Sequence, residues 1–509
     1  MRDYEVGDLE EWTQRISVLA RDLGLDCYPQ EFEICDHNQM LGSMAYSGLP
    51  SHYPHWSYGK SFEKLKTLYD YGVTGLPYEM VINSNPCLAY LMRDNSLLLQ
   101  ILTIAHVFAH NDFFKNNYTF QSTRPEWAVG RFKVHANRIR RYAEDPSIGP
   151  EGVERVLDPA RALAFQCRRN LAGPKLTPKQ QREKVKNRFL EQYRNPFPGL
   201  HKSKEFDEEA YRQLLKKTPP EPDEDILLFI RDHGKHPAAW EKDILTIVDE
   251  ETRYFIPQAQ TKIMNEGWAS YWHKTILDSL DLPQEMRLEF IARHAQVLAP
   301  QPGGLNPYHL GFEIWNALRI WYDGMLDRSQ LRKDEQNRFE EMRRDFEERD
   351  AIPPGSGQKS GREVLFQTRE SERDTSFIRR FLTPVLMREL DLFEHQLKEE
   401  SPDRRVRVVT RVSDRDQWQA IKQTLIRNVG TSAIPVIKVE DGNYHNDGSL
   451  LLEHDHDGRD LELGSAEKTL GYVYQLWGSP VVLRTRINNH SALLQVDSKG
   501  QFSLTTRDA

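Results

Sequence analysis

Cysteine is scarce in this 509-residue chain. The four copies, Cys27, Cys35, Cys87 and Cys167, show no CxxC spacing, which excludes a disulfide framework and a zinc ribbon and suits a reducing, cytoplasmic setting. A surplus of one charge sign is also missing. The 68 basic and 76 acidic residues leave a net charge of −8, the opposite of what a generic nucleic-acid coat carries, so no nucleic-acid partner is expected. Long hydrophobic runs are absent as well. The longest, residues 97–109, spans 13 residues and already contains Gln100, Thr103 and His106, short of the ~20 apolar residues a bilayer helix needs. It predicts a buried core helix and no membrane span. Neither GxxxxGK[ST] nor a GxGxxG at a strand-to-helix junction occurs, so nucleotide binding has no motif behind it. The stretch MRDYEVGDLEEWTQR lacks the basic-then-apolar order of a signal peptide, and export by that route is not expected.

What is present is length, aromatic residues and a change of period. A chain of this size exceeds one hydrophobic core and predicts more than one domain. Ten Trp, 20 Tyr and 22 Phe can fill large cores or line pockets. An amphipathic helix over 7–23 precedes a loop-rich stretch, and residues 95–120 then turn apolar and helical behind Asp94-Asn95-Ser96, which can cap a helix. Residues 170–224 swing from basic and Pro-rich to acidic and read as a surface insertion. A helical period resumes through QAQTKIMNEGWASYWHKTILDSL, bracketed by Pro257 and Pro283, and the Pro, Gly and Ser of residues 351–362 read as a hinge. After about residue 402 the period becomes alternating. RRVRVVTRV, AIPVIKVED, GSLLLEHDHD and PVVLRTRI read as strands and DQWQAIKQTLIRNVG and SAEKTLGYVYQLWG as helices, with SALLQVDS as a possible further strand. That order, βαββαβ, predicts a ferredoxin-like unit. The fold class expected is therefore α+β, with a large, mostly α-helical domain over 1–400 and a small α/β domain over 402–509.

The residues with chemical promise lie on two of the helices. In TIAHVFAHNDFF, His106 and His110 are four residues apart, ~40° from each other on a helix and one turn apart, the geometry that lets two imidazoles hold one metal. The HExxH motif of zinc hydrolases carries its general base at the second position, where this chain has Val107. In IMNEGWASYWHKTIL, Glu266 and His273 are seven residues apart and ~20° from each other on a nearly all-apolar helix. Packed, hydrogen-bonded core histidines and a surface carboxylate are the bland alternatives. Burying two imidazoles and a carboxylate without partners is costly, however. Together the helices can supply His106, His110 and Glu266, with His273 as fourth ligand or outer partner, around zinc, or iron as the alternative, and Asn111, Asp112 and Asn265 can orient the imidazoles. Glu79, Asp112 and His273 are the candidates for the missing base. His294 can face the same site. His52, His55, His454 and His456 read as packing or hairpin residues, and Cys87 has no activating base beside it.

A family resemblance enters through the same stretches. SHYPHWSYGKSFE, YEMVINSNPCLAYLM, AHVFAHNDFFKNN, TPPEPDEDILLFI, QTKIMNEGWASYWH and NPYHLGFEIW resemble, in order, the signature blocks of the SpoVR family, the stage V sporulation protein R-like proteins of bacteria. DTSFIRRFLT and the C-terminal region extend the resemblance over nearly the whole chain. It implies a cytoplasmic protein linked to spore cortex formation or to stress and stationary-phase physiology. It also implies a PrkA-type serine protein kinase and a von Willebrand-type companion as partners, and places the family's histidine and glutamate blocks at His106, His110, Glu266 and His273. Two functions stay open at this level: a zinc-dependent hydrolase of peptidase or amidase type, and a non-catalytic regulatory or scaffold protein acting with the kinase system.

Overall fold

The computed structural model describes residues 4–70, 79–169, 175–193, 206–235, 237–300, 304–349, 359–401, 404–413 and 417–507. The chain forms two compact units interleaved in sequence, residues 1–134 with 257–433 and residues 135–256 with 434–509. Its class is α+β.

The first unit is built around the helix Leu97–Asn116. Ser96 caps it by accepting the amide of Leu99, and sixteen of its residues are buried, as its nearly unbroken apolar sequence requires. Among the described residues this is the one helix long and apolar enough to cross a membrane, and 89% of its apolar window is buried inside the unit. It packs on a three-stranded sheet in which the central strand Cys87–Met92 runs parallel to Gln30–Cys35 and antiparallel to Glu79–Ile82. A second helix, Lys262–Ser279, crosses the first, and a third, Pro307–Asp327, backs the second. Trp268 and Trp315, both fully buried, meet edge to face between the last two with ring centroids 5.0 Å apart. Such a pair adds ~0.5–1.5 kcal/mol to the stabilisation from burial alone.

Two devices set the position of Lys262–Ser279. Its first turn has no cap of its own, and the buried carboxylate of Asp374 accepts the amides of Ile263 and Met264 at 3.0 and 2.9 Å. Farther along, Gly267 lies against Gly311 so closely that a Cβ on Gly267 would stand 2.3 Å from the Gly311 carbonyl carbon. Two helices with glycine at the crossing bring their backbones into contact. The expected bracketing by prolines is corrected on one side: Pro257 lies inside the helix Ala239–Gln260, whereas Pro283 does precede the next helix, Gln284–Val297.

The second unit carries a five-stranded sheet whose spatial order is the reverse of chain order: Phe502–Arg507, His490–Val496, Val481–Ile487, Ser449–His454, Ile437–Tyr444. All neighbours are antiparallel except Ser449–His454 with Val481–Ile487, which run parallel through the crossover helix Leu463–Trp477. The strand pairing departs from the expected βαββαβ closure. Arg404–Val412 pairs with Phe393–Ser401 in a separate two-stranded ribbon belonging to the first unit. A hairpin between adjacent strands closes a short loop at low entropic cost.

The division between units also runs differently from a boundary at residue 402. Residues 434–509 group with the 135–256 segment, whose Arg169 donates to the carbonyls of Ile434 and Pro435 and whose Asp223 bridges Val439 in antiparallel fashion. Part of the expected insertion is thus a partner of the sheet, while its residues 170–174 and 194–205, like 351–358 of the expected hinge, lie outside the described residues.

Candidate metal centre

Four side chains from three elements converge in the first unit. His106 and His110 come from the central helix, Glu266 from Lys262–Ser279, and Glu79 from the first position of its strand. His106 Nε2 stands 3.6 Å from Glu79 Oε1 and 3.8 Å from Glu266 Oε2, and His110 Nε2 stands 3.5 Å from Glu266 Oε2. Ligand atoms of Glu79, His106 and His110 all lie within 4.8 Å of one another. These separations are too long for hydrogen bonds. They suit a shared ion: donors ~2.0–2.2 Å from a tetrahedral centre stand about 3.3–3.6 Å apart.

Several polar atoms of the cluster are unsatisfied. Glu79 Oε2, His106 Nε2 and Glu266 Oε2 are buried without a hydrogen-bond partner, and each such atom costs ~1–3 kcal/mol. The Glu266 side chain keeps 18% of its surface while that of His106 keeps none.

Both imidazoles are held from behind. His110 Nδ1 is 2.9 Å from Asn265 Oδ1 and donates to it, which leaves Nε2 as a lone pair facing the cluster. His106 Nδ1 is 2.8 Å from His273 Nδ1, and His273 Nε2 is 2.8 Å from His294 Nδ1, so three imidazoles form a chain. Tyr308 lies with its ring 6.1 Å from that of His106.

The electrostatics drive the two carboxyls in opposite directions. Burial pushes Glu79 up to about 8, only partly offset by His110. Burial would also raise Glu266, but the His106 and His110 imidazoles outweigh it and hold this group well below the usual carboxylate range. Burial lowers His106 to about 4, and burial with the neighbouring imidazoles lowers His273 well below its ordinary value. For His110 burial acts downward, yet Glu266, Glu79 and Asn265 prevail and the group is raised. One carboxyl biased toward its acid form beside one biased toward its anion is an arrangement suited to acid–base work.

The structure thus brings Glu79, His106, His110 and Glu266 together and places other expected site residues elsewhere. His273, expected as fourth ligand or base, has both nitrogens in ring-to-ring hydrogen bonds and stands behind His106. Asp112, expected as a base or an orienter, is engaged in packing. Its Oδ1 accepts the Asp26 amide and the Arg369 guanidinium at 2.8 and 2.6 Å and its Oδ2 accepts the Trp268 indole at 2.9 Å, none of which belongs to the cluster. Asn111 clamps the backbone of Tyr28 ahead of the first strand. The buried Cys87 thiol donates to the Ile82 carbonyl at 3.3 Å, and burial raises its pKa, so it stays a thiol.

Of the histidines read as packing or hairpin residues, His454 corrects the expectation of a solvated hairpin end, being buried. His52 bonds Tyr58 in an aromatic cluster, while His454 and His456 bond Thr485 and Asp460 in the second unit. Sequence reasoning passed over Asp374, Arg369 and the Gly267/Gly311 crossing. Only the glycines carried a local signal, being small residues in otherwise apolar helical stretches.

The family model described as "SpoVR like protein" matches residues 3–434 of the chain. The chain belongs to the SpoVR family. A second model, "SpoVR-like C-terminal domain", matches residues 435–488, so the junction between the two SpoVR segments falls within a residue or two of the break at 433/434 between the structural units. A SpoVR relative, the "Uncharacterized protein YcgB" of Escherichia coli (strain K12), is 31% identical over 503 residues, covering 94% of this chain and 92% of its own length. No solved structure matches the chain.

Proposed function

We propose that this SpoVR protein is a metal-dependent hydrolase of peptidase or amidase type, with zinc, or alternatively iron, held by His106, His110 and Glu266. The observation that carries the reading is the convergence of two imidazoles and two carboxyls whose facing atoms stand 3.5–3.8 Å apart, with His106 Nε2 and Glu266 Oε2 buried and unsatisfied among them. Two imidazoles and a carboxylate make a three-ligand shell that leaves a position for water and substrate. A divalent ion there lowers the pKa of bound water to ~7 and polarises a carbonyl.

The chain's own residues do the rest. Asn265 and His273 orient the two imidazoles, and Glu266 supplies the anionic ligand. Glu79 would serve where HExxH enzymes use the glutamate that is Val107 here: in its carboxylate form it would take a proton from the attacking water, and as the resulting acid return it to the leaving amine. A role in sporulation rests on the family's name, and a cytoplasmic setting on the scattered cysteines.

The test is metal content of untagged, gently purified protein beside a His106→Ala/His110→Ala variant, followed by hydrolysis assays on peptide and amide libraries with Glu79→Gln. About one ion per chain in the wild type, its loss in the double variant, and turnover abolished by Glu79→Gln with the ion retained are expected. A wild type without stoichiometric metal would sink the reading. An ion bound by all four side chains, with no turnover, would favour the regulatory alternative with a PrkA-type kinase and its von Willebrand-type companion.

A further inference from the structure

The chain His106–His273–His294 does more than fill space, because hydrogen bonds between imidazoles impose an order. A neutral ring has one N–H and one lone pair, so a ring bonded through both nitrogens must donate at one end and accept at the other. His273 is such a ring, with His106 Nδ1 on its Nδ1 side and His294 Nδ1 on its Nε2 side, each at 2.8 Å. Only two orders exist. In one, His106 donates from Nδ1, His273 donates from Nε2, and His106 presents a bare Nε2 to Glu79 and Glu266. In the other every ring is reversed, and His106 presents an Nε2–H to the same carboxylates. Each ring keeps its proton count in both. Only the first order is compatible with a ligand atom at His106 Nε2.

The setting favours a rigid chain. His106 and His273 are completely buried, and His273 sits on the helix clamped by the Gly267/Gly311 crossing and the Asp374 cap. His294 is half-buried on Gln284–Val297 with its ring beside Phe290 and Phe312. That helix is itself tied to the central one, where the Ser96 hydroxyl donates to Glu289 Oε1 at 2.9 Å.

We propose that His273 and His294 are positioning residues of the candidate metal centre: the ordered three-imidazole chain holds His106 as the Nδ1–H tautomer and aims its Nε2 lone pair at a divalent transition metal. The inference rests on the metal reading and adds a dependence reaching through two residues that do not touch the ion.

Zn²⁺ affinity of the full-length protein, measured by competition with a chromophoric chelator, tests it. His294→Leu removes the acceptor for His273 Nε2–H at a half-exposed position, and His294→Asn restores one, its amide oxygen taking the place of the Nδ1 that accepts in wild type. His294→Leu is expected to weaken Zn²⁺ binding 10–100-fold, the range for outer partners of ligating histidines, and His294→Asn to return it to within about threefold of wild type. His273→Phe, which keeps an aromatic ring in the core, should weaken binding at least as much as His294→Leu. If wild type binds Zn²⁺ and His294→Leu binds it equally well, or if Asn is as poor as Leu, the positioning role falls and the metal reading stands. If wild type binds no Zn²⁺, both fall.

Discussion

Gly267→Ala is the substitution that most directly connects packing to the candidate metal centre. The added Cβ would lie 2.3, 2.4 and 2.7 Å from the carbonyl carbon, Cα and next amide nitrogen at Gly311 and Phe312. Unstrained carbon contacts are ~3.5–4.0 Å. The overlap exceeds about 1 Å and falls on backbone, so no rotamer change relieves it and the two helices must part. Overpacking of this kind costs ~1–3 kcal/mol, against at most ~1 kcal/mol returned by alanine's better helix propensity. Glu266 moves with its neighbour, and a shift near 1 Å is several times the ~0.2 Å tolerance of a metal–ligand distance.

The control is Gly42→Ala in the helix His37–Ala45, where an added Cβ meets nothing within 4 Å and a gain of ~0.4–1 kcal/mol is expected. Calorimetry should show the first unit's transition falling in Gly267→Ala and holding or rising in Gly42→Ala. Metal analysis should show the ion lost from Gly267→Ala alone. A Gly267→Ala protein as stable as the control with its metal intact would refute the argument that this crossing positions the site.

Three further outcomes follow from the buried charges. Glu79 is pushed from 4.5 to about 8 by burial; a carboxyl raised on folding contributes stability that is full below its ordinary value and lost as pH rises through the folded one. Below about pH 6.5 the buried neutral imidazoles of His106 and His273, both lowered, oppose this loss. The thermal midpoint of metal-free protein should therefore fall between about pH 6.5 and about 8.5, and Glu79→Gln should flatten that fall, leaving the part due to Asp374, raised by burial to about 7, and to the raised His110; an unchanged slope would show that Glu79 is not the titrating group. Asp112→Ala takes from the buried Arg369 cation its buried partner at 2.6 Å and leaves it the exposed Glu370 at 2.9 Å; it should cost ~3 kcal/mol in unfolding, so a loss below ~1 kcal/mol would mean that Glu370 or water replaces the carboxylate. Asp374→Ala removes the acceptor for two amides of Lys262–Ser279 and should cost ~1–2 kcal/mol, with faster amide hydrogen exchange in the helix's first turn as the direct readout.

The local features of the chain were legible before any tertiary structure. Four-residue spacing alone puts His106 and His110 on one helix face, the apolar sequence around them requires burial, and Ser96 caps where a capping residue was expected. Four of the five described strands after residue 430 were equally legible, because alternation is a property of neighbours, while the edge strand Phe502–Arg507 was not foreseen. Strand partners were not. Alternation says which face is buried and is silent on which strand lies alongside, so Arg404–Val412 read as part of a sheet and is instead half of a ribbon.

What the sequence by itself determined is the inventory: a buried helix with two histidines one turn apart, an apolar helix carrying Glu266 and His273, a nearby Glu79, and the period changes that mark the class as α+β. Only the tertiary structure decided which of these meet. It set Glu79 beside the pair, placed His273 behind His106, and turned Asp112 toward Arg369 and Trp268. The reason is physical. Helical periodicity fixes angles within one element to a few tens of degrees, while the distance between residues 106 and 266 depends on how two helices cross. That crossing is set by contacts between elements, such as the Trp268 indole on Asp112 across the two helices and Gly267 on Gly311 of the helix behind, which no period in the chain encodes.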